Sequence, residues 1–409
     1  MNVSLGVLIL VFLGIALRQL FRLPLRIWQI MGIGAAITLF TGQISLHQAL
    51  HAIDWDIIFF LFGMFYVCSS LEQSGLIHNF VSRHLLEDCS KKALAFFIVF
   101  GMGIFSALFM NDTLAILGTP LLLKVAHHRR LQTTPLLLGL AFAITIGSVC
   151  SPIGNPQNLL IALQAPIGAP FATFLKYLAL PTLINLILLY FLLLKWMNKP
   201  AHYHHEIEET APHNKRLMTL SKLALLIIIV MIGYNLIASY LPILPIPLPG
   251  IALIPAAFLL ILGPKRKEIF SHLDWATLIF FIGLFIVMKS VWINSSLKTV
   301  LLSPTPWMES IPGVMTLSAL LSQLISNVPL VALYLPTLTQ QPAATYMALA
   351  AGSTIAGNFL IFGAASNFII AQNAEKRGDL SFTFFTFAKY GIPLSLLNFA
   401  IYWLSLTYL

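Results

Sequence analysis

"LAFFIVFGMGIFSALFMNDTLAILGTPLLLKV", residues 94–125, is apolar at both ends and polar at its centre, where Asn111, Asp112 and Thr113 stand together. The way the chain passes this stretch decides the fold. At about 1.5 Å per residue, Leu94 to Met110 makes a helical arm of about 25 Å and Thr113 to Lys124 one of about 18 Å. The second arm is too short to cross a hydrocarbon layer about 30 Å thick. A re-entrant hairpin fits these lengths, provided that protein or water covers its polar tip.

The composition supplies the membrane. Of 409 residues, 58% are hydrophobic and 9% are charged, whereas soluble domains carry about 25% charged residues. Mean hydropathy is +0.89. Backbone groups facing lipid must be satisfied within the chain, which helices achieve, and the period-2 alternation of a barrel is absent. The expected class is an all-α polytopic membrane protein. Spans are expected near 3–17, 27–43, 56–76, 135–163, 172–196, 217–240, 250–263, 277–293, 344–373 and 383–407. The apolar stretches 94–125 and 312–340 are expected to be re-entrant hairpins. The first apolar run has neither a basic leader nor a small-residue cleavage site, so it is expected to be a retained helix.

The charges test the hairpin. Basic residues fall in short clusters: Arg18, Arg22 and Arg26; Arg83, Lys91 and Lys92; Lys124, Arg129 and Arg130. Further clusters are Lys195, Lys199, Lys215, Arg216 and Lys222; Lys265 to Lys267; and Lys376 with Arg377. If 94–125 enters and leaves on one side, these 19 of the 23 lysines and arginines become cytoplasmic, with both termini outside. A full crossing would put every later cluster on the wrong side. The net charge of +9 is thus a topology signal, and no nucleic-acid partner is implied. Cys68, Cys89 and Cys150 have no metal or disulfide spacing.

The chain also repeats itself. "IDWDIIFFLFGMF" (53–65) aligns with "LDWATLIFFIGLF" (273–285), pairing Asp54-Trp55 with Asp274-Trp275 and Gly63 with Gly283. "TIGSVCSPIGNPQNLLIA" (145–162) aligns with "TIAGNFLIFGAASNFIIA" (354–371), pairing Thr145, Gly154, Asn158 and Ile161 with Thr354, Gly363, Asn367 and Ile370. "MNDTLAILGTP" (110–120) lies opposite "SNVPLVALYLP" (326–336). Each half, 1–197 and 217–409, then holds three spans, a hairpin, an interrupted span and a final span, joined by a polar linker at 198–216. An odd number of crossings per half inverts the second half. Inverted repeats with interrupted helices near the midplane characterise secondary transporters.

Four polar interruptions therefore carry the chemistry: Asn111-Asp112-Thr113, the run from Gly147 to Asn158, Ser326-Asn327, and the run from Gly357 to Asn367. Within the runs, Ser148, Ser151, Gly154, Asn155 and Asn158 answer to Asn358, Gly363, Ser366 and Asn367. Unwound backbone offers carbonyls to a cation, and half-helix N-termini offer amides to an anion. Na+ would sit near Asn111, Asn327 and the broken-helix carbonyls. Asp112 is the one acidic residue expected at mid-membrane depth, where a carboxylate costs about 2.5–3.5 kcal/mol. It either carries the coupling ion, Na+ or H+, or caps the second hairpin arm. Asp54 and Asp274 are expected to be helix caps, with Trp55 and Trp275 as interfacial anchors. "HYHHEIE" (202–208) lacks the second histidine of a zinc-protease motif and is expected to be solvated linker.

With these motifs placed, the chain resembles the ion transporter superfamily of divalent anion/sodium symporters, arsenite-efflux permeases and citrate carriers. "NDTLAILGTP", "SPIGNPQNLLIA", "SNVPLVALYLP" and "FGAASNFIIA" carry the resemblance. It implies an elevator-type transporter in which hairpins and broken helices move against a scaffold, and a homodimer by analogy with the symporters. Met110 stands where the symporters' first tip has serine, and Val328 where their second has threonine. The Asn-Asp tip is closer to the arsenite-permease branch. The expectation is an ion-coupled secondary transporter of small inorganic or organic anions, with no cofactor. A sodium/proton antiporter using Asp112, an intramembrane enzyme and a channel are the alternatives.

Overall fold

The computed structural model of the protein describes residues 3–21, 26–76, 79, 85, 89–197, 214–294, 306–377, 379 and 382–408. The linker 198–213 with its histidines, Arg22 and Arg83 lie outside the described residues. The described chain is helical. Its first half runs α1 (Val3–Phe21), α2 (Ile27–Phe40), a short helix Leu46–Ala52, α3 (Trp55–Ser74), α4 (Lys91–Leu108), α5 (Asn111–His128), α6 (Thr133–Ser148), α7 (Pro156–Gln164) and α8 (Pro170–Trp196). The second runs α9 (Lys215–Ala238), α10 (Leu248–Leu262), a short helix Arg266–Ser271, α11 (Trp275–Asn294), a turn at Pro306–Glu309, α12 (Ile311–Ile325), α13 (Asn327–Tyr334), α14 (Ala343–Ile355), α15 (Ala365–Lys376) and α16 (Phe384–Tyr408).

Helix starts follow local capping chemistry. Asp54 accepts the Ile57 amide at 3.3 Å, and Asp274 accepts the Thr277 amide at 3.0 Å, so both aspartates cap the helices they precede. Trp55 and Trp275 stand exposed beside them. Among the described residues, α3, α4, α8, α9, α11 and α16 are each long and apolar enough to cross a membrane alone. By contrast α2 has 14 residues and α10 has 15, about 21–23 Å of helix. These two depend on the adjoining turns and short helices to complete the crossing expected of them.

The hairpin arms differ in length from the expectation. The arm expected at 113–124 is α5, with 18 residues, about 27 Å. It starts at Asn111, after the extended residue Met110, and the Asn111 Oδ1 accepts the Asp112 amide at 2.9 Å within its first turn. It continues past Lys124 because polar residues are satisfied there, with His127 Nε2 2.9 Å from the Asp379 carboxylate. The outer ends of α4 and α5 still meet, since the Arg129 guanidinium donates to the Cys89 carbonyl. The second pair closes likewise: the Tyr334 hydroxyl donates to the Met308 carbonyl at 2.5 Å.

Packing crosses between the halves in matched pairs. α3 lies along α10, and α11 lies along α2. The aligned glycines explain the close approach. A Cβ on Gly63 would stand 2.7 Å from the Ala252 carbonyl, and one on Gly283 would stand 3.2 Å from the Met31 carbonyl oxygen. α5 packs on α15, and α7 packs on α13.

Two apolar cores result. One gathers α1–α3, α7 and α9–α14; the other gathers α4–α6 and α15. Each broken helix begins in one core and ends in the other, α6 to α7 and α14 to α15, so both breaks fall on the boundary. α8 and α16 cross the same boundary, between Leu178 and Leu186 and between Leu394 and Tyr402. Outward faces remain apolar, as on α9, where Leu226, Val230 and Ile237 are exposed. That pattern suits lipid and not water.

Candidate functional site

The first break is a self-completed turn. α6 stops at Ser148, and α7 restarts at Pro156 with Asn155 as its cap, accepting the Asn158 amide at 2.8 Å. The Asn158 side-chain NH2 is spread over the carbonyls of Ser148, Val149 and Ser151, at 3.1, 3.2 and 3.0 Å. These are the orphan acceptors of the α6 C-terminus. They are the carbonyls offered above to Na+: Ser148 O and Ser151 O also accept the Ser151 and Gly154 amides, at 3.4 Å each, so Val149 O alone of the three keeps a lone pair to spare. The Ser148 hydroxyl donates to Thr145 O at 2.9 Å and accepts from Asn155 Nδ2 at 3.1 Å. The Ser151 hydroxyl accepts the Ile153 amide at 3.3 Å.

The second break is less complete. Ala356–Asn358 and Ile361–Gly363 form tight 3-10 turns, and α15 starts after Ala364, which has no side chain to cap it. Asn367 Nδ2 donates to Gly357 O at 2.6 Å, and Gln323 Nε2 from α12 donates to Ala356 O at 2.6 Å. Beyond these, buried polar atoms outnumber partners. Both amide atoms of Asn358, the Asn367 Oδ1 and the Ser366 Oγ are buried without a hydrogen bond. Gly363 is confined by the same turn: a Cβ there would lie 2.5 Å from Ala356 O.

The hairpin tips connect to these breaks. The Asn111 amide donates to Gly154 O at 3.0 Å, tying the first tip to the first break. The Asp112 carboxylate lies close to the Ser366 amide, near the α15 N-terminus. The first hairpin tip thus reaches a helix of the other half. Thr113 lies beside the Cys68 thiol of α3. Asn327 is buried, and its Oδ1 has no partner. Ser326 turns the second tip at φ 70°, ψ 158°, a region that costs a non-glycine residue about 1–3 kcal/mol.

A bridge joins the two breaks. The Thr354 hydroxyl lies 3.2 Å from Asn155 Nδ2, 3.3 Å from Gln157 Nε2 and 3.4 Å from Asn158 Oδ1. Gln157, Thr354 and Gln323 are absent from the sequence-derived site. The alignment of Thr145 with Thr354 pointed to one of them, and Gln157 lies inside "GNPQN". Nothing marked Gln323 except its place one turn before Ser326. Among the described residues, no group of histidine, cysteine and acidic side chains could hold a metal, and all three cysteines are free. A cavity of about 510 Å3 lies elsewhere, between the ends of α7 and α8 and the loop before α10.

The fold is similar to that of the YdaH transporter of Alcanivorax borkumensis, with a TM-score of 0.59 at 14% identity, over 88% of this chain and 86% of that one. In sequence the chain is 28% identical over 380 residues to a protein named as an uncharacterized transporter of Mycobacterium tuberculosis, covering 87% of this chain and 86% of the relative. It is 27% identical over 441 residues to the silicon efflux transporter LSI3 of Oryza sativa subsp. japonica, covering 90% of each. The model of the citrate transporter family, CitMHS, matches residues 9–346. The chain belongs to that family and is a multi-pass membrane transporter, not an enzyme.

Proposed function

We propose that the protein is an ion-coupled secondary transporter of small oxygen-rich acids and anions, working by alternating access. The observation that carries this reading is the contrast at the α15 N-terminus. A helix start without its own side-chain cap, with the Ser366 hydroxyl and the Asn358 side-chain NH2 unpaired beside it, is a ready anion site. In this conformation the carboxylate of Asp112 lies close to it. When Asp112 takes up H+ or Na+, its negative charge is neutralised, and a substrate oxyanion can enter beside it. Loading of cation and anion is thereby linked.

The family is named for citrate and one relative for silicon efflux, which brackets the substrate class as carboxylates and oxyacids. The two halves act as inverted repeats, each contributing a hairpin and a broken helix. The hairpin and break elements move as one body against α1–α3 and α9–α11, with the linker cytoplasmic and both termini outside. The antiporter reading needs a second carboxylate at the site. Asp274 lies within electrostatic reach of Asp112, but both its oxygens are held by Thr277, at 3.0 and 2.6 Å. It is a cap, which leaves Asp112 alone.

The test is flux in proteoliposomes with a panel of radiolabelled anions, sodium and pH gradients being varied separately. The expected result is accumulation of at least one carboxylate or oxyanion driven by one of the two gradients. Cation exchange with no anion movement would replace this reading with the antiporter.

A further inference from the structure

The two final helices contain a polar motif that none of the four interruptions includes. "TFLKYLALPTLIN" (173–185) in α8 and "TFAKYGIPLSLLN" (386–398) in α16 share Thr, Phe, Lys and Tyr at the same spacing. They then place Thr182 and Asn185 opposite Ser395 and Asn398 in the alignment. Lys176 lies over the Tyr177 ring at 5.1 Å and Lys389 over the Tyr390 ring at 5.8 Å, so the starts of the two segments also match in structure. The polar residues then fall where each helix crosses from one apolar core to the other.

The two motifs face one another. α8 packs on α16, with the Trp196 ring tilted against Tyr390 at 4.7 Å between ring centroids and Thr182 Oγ1 2.6 Å from the Tyr402 hydroxyl. These two contacts, at opposite ends of the pair, make the helices antiparallel and bring Asn185 and Asn398 to nearly the same level. Gly391, Ser395, Asn398 and Tyr402 follow the 4-3-4 spacing of one helix face, and all are buried. Asn185, Ser395 and Asn398 are each 0% exposed. Asn185 lies against the Tyr402 hydroxyl, yet neither of its amide atoms is in a hydrogen bond of good geometry. The same holds for both amide atoms of Asn398 and for the Ser395 hydroxyl. The second break adjoins this face, for the Asn358 carbonyl oxygen would lie 2.2 Å from a Cβ on Gly391.

Buried polar groups are nearly always paired. Five unpaired atoms stand at one level of one helix pair, and the three oxygens among them, Asn185 Oδ1, Asn398 Oδ1 and Ser395 Oγ, call for a ligand. The oxygens here are amide and hydroxyl, with no carboxylate in either motif. Neutral oxygens can replace the hydration shell of a monovalent cation, whereas a divalent cation draws on carboxylates. We propose that Asn185, Ser395 and Asn398, with Thr182 and Tyr402, form a Na+ site between α8 and α16, separate from the anion site and Asp112. This rests on the transporter reading above, for which it names a seat for a coupling ion outside the breaks.

The test is thermal unfolding of the purified full-length protein in detergent, titrated with NaCl against choline chloride at constant ionic strength. The wild type is expected to be stabilised by Na+ with saturation. Asn398→Leu and Asn185→Leu should weaken half-saturation by at least about tenfold, yet unfold at the same or a higher temperature in choline, because an unpaired amide has been removed. Ser395→Ala is the milder variant should either leucine prevent folding. Unchanged Na+ titrations in the variants, or no Na+ effect on the wild type, would overturn the site. Anion flux by the wild type in proteoliposomes, measured alongside, separates the two readings: flux without Na+ stabilisation leaves the transporter standing and removes this site.

Discussion

The two breaks occupy matching places in the chain and are built in opposite ways. The first is closed by its own residues: Asn158 donates to three carbonyls and Asn155 caps α7. The second has Ala364 where a cap should be, and Ser366, Asn367 and Asn358 retain unpaired atoms. The tips follow suit. Asn111 is held by Gly154 O and accepts the Asp112 amide, whereas Ser326 is strained and the Asn327 Oδ1 is free of hydrogen bonds. One half of the site is finished by the fold, and the other waits for a ligand. Matching sequence positions therefore need not share a role: the first half sets the frame, and the second supplies binding groups.

Substitutions can break that contrast. The largest effect on stability is expected from Asn158→Ala, which leaves Val149 O without a donor and takes one of two donors from Ser148 O and from Ser151 O. At about 1–3 kcal/mol for the group left unsatisfied and about 1 kcal/mol for each further bond lost, the folded state should lose about 3 kcal/mol or more, read as a large fall in unfolding temperature in detergent. Asn327→Ala should do the reverse. It should leave unfolding within about 1 kcal/mol of wild type, since no hydrogen bond is lost from its Oδ1, but weaken anion binding about 10–100-fold, the worth of one or two hydrogen bonds donated by its side-chain NH2 to a charged group. Asn111→Ala should lose both transport and some stability, because the Asp112 amide loses its acceptor.

Asp112→Asn sharpens the comparison from the other side. An asparagine keeps a polar oxygen beside the Ser366 amide, so stability should move by less than about 1.5 kcal/mol. Without a titrating carboxylate, anion flux should cease to follow the pH or sodium gradient. Coupling that persists in this variant would make Asp112 a structural cap. The smallest change is expected from Ser326→Gly, where relief of the positive φ should raise stability by up to about 1 kcal/mol, seen as a modest rise in unfolding temperature.

Much of this was legible in the sequence because it is periodic. Apolar runs, punctuation by glycine, proline and asparagine, and the Asp-Trp pairs before α3 and α11 all leave local marks. The extension of α5 to His128 left none, because it depends on Asp379 arriving from 252 residues away. The Asp112 contact to Ser366 joins the two halves and has no local sign either. Asn158 and Asn367 align, yet one donates to three carbonyls and the other to one, a difference set by how each turn folds. Asn185 and Asn398 carry no mark within their own helices, and only their unpaired amides in the folded chain set them apart.

The most direct test of the site is Asn367→Ala in proteoliposomes, with the unfolding temperature of the same preparation as control. Its side-chain NH2 donates to Gly357 O and holds the second break, and its unpaired Oδ1 is an acceptor for a coupling cation or for the hydroxyl of an acid substrate. The account predicts that gradient-driven anion flux falls at least about tenfold while the protein remains folded and membrane-inserted. Flux at the wild-type rate from a folded Asn367→Ala protein would contradict it, and the anion would have to bind elsewhere.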